Sequence, residues 1–307
     1  MKPDSSTRAE PFVFDPVRLG TLAAQHRIAY SQATPFPHVV IDDLLPAEVL
    51  EDLVADFPAP DQAPWFGYES DRERKLELSN QQCMRPFTRH MLAQFNSGVF
   101  VDFLEELTGI SGLVVDPHLA GGGLHQIQPG GRLQIHADFN LHPRLLLQRR
   151  LNLLLYLNRE WQDDFGGHLE LWDRDMTRCQ ARISPALGRC VVFTTTHESF
   201  HGHPDPLACP EGITRKSLAL YYYSVPDDIP EGMEYHGTQF KRRPGDPLEF
   251  PDEGRTKEGK HSFGRLAPPV LVRMARTLKD PGGRRAFVAD LLPPPVADSL
   301  RRYRRRP

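Results

Sequence analysis

His136 and Asp138 stand two residues apart in the run Leu133-Gln-Ile-His-Ala-Asp. That run has the character of a β-strand, and residues two apart on a strand project to the same face. An imidazole and a carboxylate so placed can converge on one ion. Two imidazoles and one carboxylate on one side of a metal suit Fe(II), because the remaining coordination positions stay open. Two of those positions would serve a chelating co-substrate and one would serve O2. A two-residue pattern arises often by chance, so the pair gains weight only from what stands downstream.

A third ligand must come from a distant strand, and His197, His201 and His203 compete for the place. His201 follows the apolar run Cys190–Thr194 and adjoins Gly202, which would let the backbone come close to the ion. His197 falls in a polar Thr-Thr-Thr-His-Glu turn, and His203 precedes proline. His201 is therefore the expected ligand. Arg215 and Ser217 follow in Thr214-Arg-Lys-Ser. A dicarboxylate co-substrate that chelates a metal at one end needs its far carboxylate neutralised. A buried guanidinium does this with paired hydrogen bonds, and Ser217, on the same strand face, adds a hydroxyl donor.

These residues need a scaffold that brings distant strands together. From about Leu113 to Ser224 the chain is a series of short runs separated by turn signals such as Gly130-Gly131 and Gly166-Gly167. The expected strands are Gly123–Ile127, Leu133–Ala137, Arg150–Leu157, His168–Trp172, Ala181–Ile183, Arg189–Thr194 and Ser217–Ser224. Short strands at this spacing point to an antiparallel sandwich or jelly roll. Upstream, Asp15-Pro16 opens a helix running through Leu19, Leu22, Ala23 and Ile28. A short strand is expected within Pro35–Asp42. Pro46 starts a second helix, with Val49, Leu50, Leu53 and Phe57 on one face. Gln82–Leu107 is helical in period, with one stripe of Met84, Phe87, Met91, Leu92 and Phe95 and another of Phe100, Phe103, Leu104 and Leu107. A short helix is also expected at Pro268–Leu278, and Asp290–Tyr303 carries one more apolar group and ends in an arginine-rich tail.

The 307 residues suffice for one large domain with appendages. A net charge of −3 gives no footprint of a nucleic-acid binder, and no apolar run is long enough to span a bilayer. Four scattered cysteines, Cys83, Cys179, Cys190 and Cys209, lack disulfide or zinc spacing. Free thiols in the cytoplasm, without a signal peptide, are expected.

In their order along the chain these residues resemble the Fe(II)/2-oxoglutarate-dependent oxygenases, most closely the prolyl-4-hydroxylase-like branch. The resemblance runs from Pro35 to Ser224. It includes Pro35-Phe-Pro-His-Val-Val-Ile-Asp, His136-x-Asp138, Arg150-Leu-Asn-Leu-Leu-Leu-Tyr-Leu-Asn158, Gly166-Gly-x-Leu-Glu-Leu, His201 and Arg215-x-Ser217. It implies an α+β chain with a mainly β core, a double-stranded β-helix braced by N-terminal helices. Lead-in residues 1–34, an oxygenase domain over 35–225 and a Pro/Arg-rich extension over 226–307 would follow. It also implies Fe(II), with 2-oxoglutarate and O2 as co-substrates and ascorbate as reductant, yielding succinate, CO2 and a hydroxylated substrate. Tyr156 matches the strand residue whose phenol reaches the distal carboxylate. Asn152 shares its face, and Gln126 stands near where relatives carry a tyrosine. Arg150 faces substrate or solvent. Asp138 favours hydroxylation over halogenation, since halogenating relatives lack that carboxylate. The long segment from Gly202 to Thr214 would form a lid or wall. A peptidyl residue, an amino acid or a small metabolite all suit as substrate. The competing readings are a catalytically silent binding or regulatory module and a cupin-type dioxygenase, and neither explains Arg215-x-Ser217.

Overall fold

The computed structural model describes residues 12–226 and 236–246. The chain divides into two compact units, residues 1–142 with 147–254, and residues 143–146 with 255–307. Everything below concerns the first unit. The helix expected at Pro268–Leu278, the apolar group of Asp290–Tyr303 and the arginine-rich tail lie outside the described residues.

Helix α1 (Pro16–Gln32) starts where Asp15 accepts the Arg18 N–H at 2.7 Å, with proline in the first turn. Its buried residues are Leu19, Leu22, Ala23 and Tyr30. Ile28 is exposed, because it falls half a turn round from Leu19. Strand β1 (His38–Ile41) and helix α2 (Ala47–Asp56) occupy the expected segments. The Gln82–Leu107 stretch divides into α3 (Pro86–Phe95) and α4 (Gly98–Thr108). Ser97 supplies the break by capping the second helix, accepting the Phe100 N–H at 3.4 Å.

The strands are β2 (Phe66–Glu69), β3 (Glu73–Leu78), β4 (Val114–Val115), β5 (Gly123–Ile127), β6 (Arg132–Ala137), β7 (Gln148–Tyr156), β8 (Leu169–Trp172), β9 (Cys179–Ile183), β10 (Cys190–Thr194), β11 (His201–His203), β12 (Arg215–Ser224) and β13 (Gln239–Phe240). Their main path runs β1-β10-β7-β12-β5-β3-β6-β11-β8-β9, and each pairing is antiparallel. The run β1-β10-β7-β12-β5 forms one wall and β6-β11-β8-β9 the other. Strand β3 joins them, pairing Leu76–Leu78 with β5 and Glu73–Arg74 with β6. This is a double-stranded β-helix.

Alternation along β7 and β12 divides the side chains between two environments. Leu151, Leu153, Leu155, Leu218, Leu220 and Tyr222 face outward and share a core with Leu19, Leu53, Met91, Phe95, Phe100 and Leu104 of the helices. Each such buried side chain contributes about 1.5–3 kcal/mol of transfer free energy. Inward, Tyr156, Val191 and Phe193 meet Leu169, Leu171 and Ile183, and fill one end of the barrel. Helix α1 therefore belongs to the main core. The Gly202–Thr214 segment is held against β5 and the neighbouring turns. Leu207 and Cys209 pack on Ile127 and Phe165, while Leu207 exchanges backbone hydrogen bonds with Gly130 and Gly131.

Candidate metal centre and co-substrate pocket

Strands β6 and β11 pair so that His201 lies directly opposite His136. His201 thus stands on a strand of its own rather than in a loop after β10. The two chains approach closely because residue 202 is glycine. A Cβ there would lie 2.8 Å from the carbonyl oxygens of both Leu133 and Gln134. Gly202 thus admits the neighbouring backbone of β6, rather than bringing its own backbone close to the ion as expected.

The imidazole rings of His136 and His201 are 4.5 Å apart. Their Nε2 atoms lie 3.6 and 3.5 Å from Asp138 Oδ1 and Oδ2, respectively. The far nitrogens are fixed, since Nδ1 of His136 donates to the Gln134 carbonyl at 2.8 Å and Nδ1 of His201 to the Ser199 carbonyl at 2.9 Å. A carbonyl only accepts, so the protons sit on Nδ1 and both Nε2 lone pairs point inward. Ligand atoms each about 2.1 Å from one ion stand roughly 3–3.5 Å apart. The nitrogen–oxygen distances of 3.6 and 3.5 Å match that spacing, and the three groups lie closely enough together to hold a metal ion. Burial pushes the His201 imidazole down to about 4, with His136 acting in the same direction.

Asp138 is held from behind. Its Oδ2 accepts from Asn152 Nδ2 at 2.7 Å and lies 3.1 Å from Arg149 Nη2. Arg149 also donates from Nε and Nη2 to Asn152 Oδ1, at 3.0 and 2.7 Å. Its guanidinium sits 3.4 Å from the Tyr221 ring centroid and 4.5 Å from that of Phe139. Burial opposes the Asp138 charge, but Arg149 and the two imidazoles hold its carboxyl well below the usual range. Arg149 escaped the sequence reading because of a β-bulge. Tyr222 pairs with Leu151 and Tyr223 with Arg149, so Arg150 is the extra residue and the alternation reverses there. Arg150 donates instead to Ser224 Oγ at 2.9 Å.

Arg215 and Ser217 line the same cavity of about 190 Å³ as His136, Asp138 and His201. Arg215 Nε donates to the Gly167 carbonyl at 2.7 Å and Nη2 to the Tyr156 hydroxyl at 3.2 Å. Burial lowers its proton affinity, and no carboxylate lies within 4 Å of it among the described residues. A buried cation without a counter-ion fits a ligand carboxylate. Gly167 makes room: at φ +69°, its Cβ would stand 3.0 Å from Arg215 Cδ.

The other expected co-substrate residues, Ser217, Tyr156, Asn152 and Gln126, are each placed differently. Ser217 faces the cavity, and Tyr156 supports Arg215 from beneath, 4.8 Å from ring centroid to guanidinium. Asn152 commits its amide to Asp138 and Arg149. Gln126 points to the opposite side of β5 and donates to Thr214 Oγ1 at 2.9 Å. Its register partner is Lys216, between the inward Arg215 and Ser217, so His125 and Ile127 face the cavity instead. His197 is exposed, whereas His203 is buried and lines the cavity. Strand β3 adds Glu73, Lys75 and Glu77. Strand β13 places Phe240 against His136, with ring centroids 5.6 Å apart.

Residues 122–223 match the family model of the 2OG-Fe(II) oxygenase superfamily. No curated protein matches the chain. Among solved structures, the chain is similar to a prolyl hydroxylase from Trichoplax adhaerens, in complex with a hypoxia inducible factor peptide fragment. Identity is 14%, TM-score 0.48, and 68% of this chain and 91% of that one are covered. A Pseudomonas putida prolyl-4-hydroxylase is 20% identical, with TM-score 0.46 and coverage of 68% and 100%. HygX from Streptomyces hygroscopicus, with nickel, 2-oxoglutarate and hygromycin B bound, is 12% identical, with TM-score 0.43 and coverage of 64% and 86%. These distant likenesses assign no residue roles. The segment that carries His136, Asp138, His201 and Arg215 is thus the one that matches the 2OG-Fe(II) oxygenase family model.

Proposed function

We propose that this protein is an Fe(II)- and 2-oxoglutarate-dependent dioxygenase that hydroxylates a C–H bond of a peptidyl residue, an amino acid or a small metabolite. The observation that carries the reading is the convergence of three metal-ligand atoms, with a buried uncompensated arginine in the same cavity. His136, Asp138 and His201 would hold the iron. Bound there, Fe(II) supplies the redox chemistry that couples decarboxylation of 2-oxoglutarate, to succinate and CO2, with substrate oxidation.

The chain's own residues prepare the site. Gln134 and Ser199 carbonyls fix the tautomer of both imidazoles. Asn152 and Arg149 engage Oδ2 of Asp138, which leaves Oδ1 the freer donor. Arg215 would meet the distal carboxylate of 2-oxoglutarate with Ser217 beside it, while Tyr156 and Gly167 keep the guanidinium in place. The aromatic and aliphatic filling around Phe193 and Leu171 closes the barrel behind and excludes water. Ascorbate would sustain the ferrous state. Residues 35–225 would carry the activity, with 226–307 appended.

The test is succinate release from 2-oxoglutarate across a panel of peptides, amino acids and metabolites. Substrate-dependent succinate that disappears in His136→Ala and Asp138→Ala supports the proposal. Binding of a panel member without any succinate would favour a silent binding module.

A further inference from the structure

His203 is buried to 3% exposure, yet neither ring nitrogen has a hydrogen-bond partner. A polar group kept in this state costs free energy unless a ligand satisfies it. It stands two residues beyond His201 on β11, and both line the cavity. Two residues of strand span about 6.6 Å, a distance that a five-carbon diacid covers. On the facing wall, Arg215 and Ser217 line the same cavity. Lys75 of β3 brings a second cation to the same cavity, besides Arg215. Arg215 spends Nε on Gly167 and Nη2 on Tyr156, so its fork is only partly available to a ligand. A carboxylate there has oxygens left for a further donor.

We infer that His203 is a further co-substrate-binding residue, whose imidazole N–H donates to the distal carboxylate of 2-oxoglutarate from the wall opposite Arg215 and Ser217. This rests on the reading of the cavity as a 2-oxoglutarate site. Arg215 supplies the charge, and His203 fixes which way the carboxylate faces. An imidazole donates a hydrogen bond in either protonation state, so the role does not depend on its titration.

The test compares two ligands on protein loaded with Mn(II) under anaerobic conditions. Calorimetry gives dissociation constants for 2-oxoglutarate and for 2-oxovalerate, which has the same chelating end and no distal carboxylate. His203→Leu is expected to weaken 2-oxoglutarate at least about tenfold, and 2-oxovalerate by no more than about twofold. His203→Gln, which keeps an N–H donor, should stay within about threefold of the wild type for both ligands. Mn(II) affinity measured alone should be unchanged in both variants. Equal weakening of both ligands, or unchanged 2-oxoglutarate binding in His203→Leu, would overturn the inference. A wild-type protein that binds Mn(II) but not 2-oxoglutarate would instead overturn the underlying reading of the site.

Discussion

Removing the Asn152 amide separates a metal ligand from its support. The amide donates to Asp138 Oδ2 at 2.7 Å, and its oxygen takes two Arg149 donors at 3.0 and 2.7 Å. In Asn152→Ala the carboxylate loses its amide donor and keeps the Arg149 contact at 3.1 Å, and the guanidinium loses the Asn152 oxygen as an acceptor. Hydrogen bonds to charged groups contribute about 1.5–3 kcal/mol each, and bonds that share partners do not add. We expect about 2–4 kcal/mol of lost stability. Loss of a residue that orients a metal ligand typically weakens metal binding about 10–100-fold, or roughly 1.4–2.7 kcal/mol. Anaerobic Fe(II) titration gives the dissociation constant, and thermal melting of the metal-free protein gives the stability. A folded Asn152→Ala protein whose Fe(II) affinity matches the wild type would refute the idea that Asn152 orients Asp138.

Arg215→Ala should raise the apparent KM for 2-oxoglutarate by about 100-fold, because a buried charge-assisted contact is worth about 2–5 kcal/mol; an unchanged KM removes Arg215 from the co-substrate site. Gly202→Ala should destabilise the fold by about 1–3 kcal/mol, since its Cβ would press on the carbonyls that hold His136 opposite His201; an unaltered melting temperature argues against the close pairing of β6 and β11. Glu77 gives a pH test. Burial raises its carboxyl above the ordinary value of 4.5, Lys75 only partly opposing. Below that ordinary value both folded and unfolded chains hold the proton, whereas stability is lost as pH rises through the raised folded value. Glu77→Gln lacks this loss and should gain in melting temperature over the wild type from pH 4 to pH 8. A gap that stays constant over that range contradicts a buried, titrating Glu77.

Alternation made much of the barrel legible. The apolar outer faces of β7, β10 and β12 and the turn glycines marked their strands closely, and His136-x-Asp138 was readable because its two side chains share a face. Strand β3 was not, because its inward residues Glu73, Lys75 and Glu77 are charged. The usual pattern of polar outside and apolar inside reverses where the barrel interior is a polar cavity. Arg149 was hidden by the bulge at Arg150, which turns it inward against its own strand's period. Gln126 was misplaced by one residue of register, which on a strand means the opposite face. His203 was set aside because proline follows it, although proline's restriction favours the extended backbone that residue 203 adopts at the end of β11.

In the proposed function, one ion held by His136, Asp138 and His201 also receives 2-oxoglutarate within the cavity lined by Arg215. The direct measurement is visible absorption on anaerobic addition of Fe(II) and then 2-oxoglutarate, because chelation by the 2-oxo acid creates a metal-to-ligand charge-transfer band. The band should appear in the wild type only when both components are present and be absent in His136→Ala. In Arg215→Ala it should require far more 2-oxoglutarate. A wild-type protein that binds Fe(II) but develops no band at saturating 2-oxoglutarate would contradict the account.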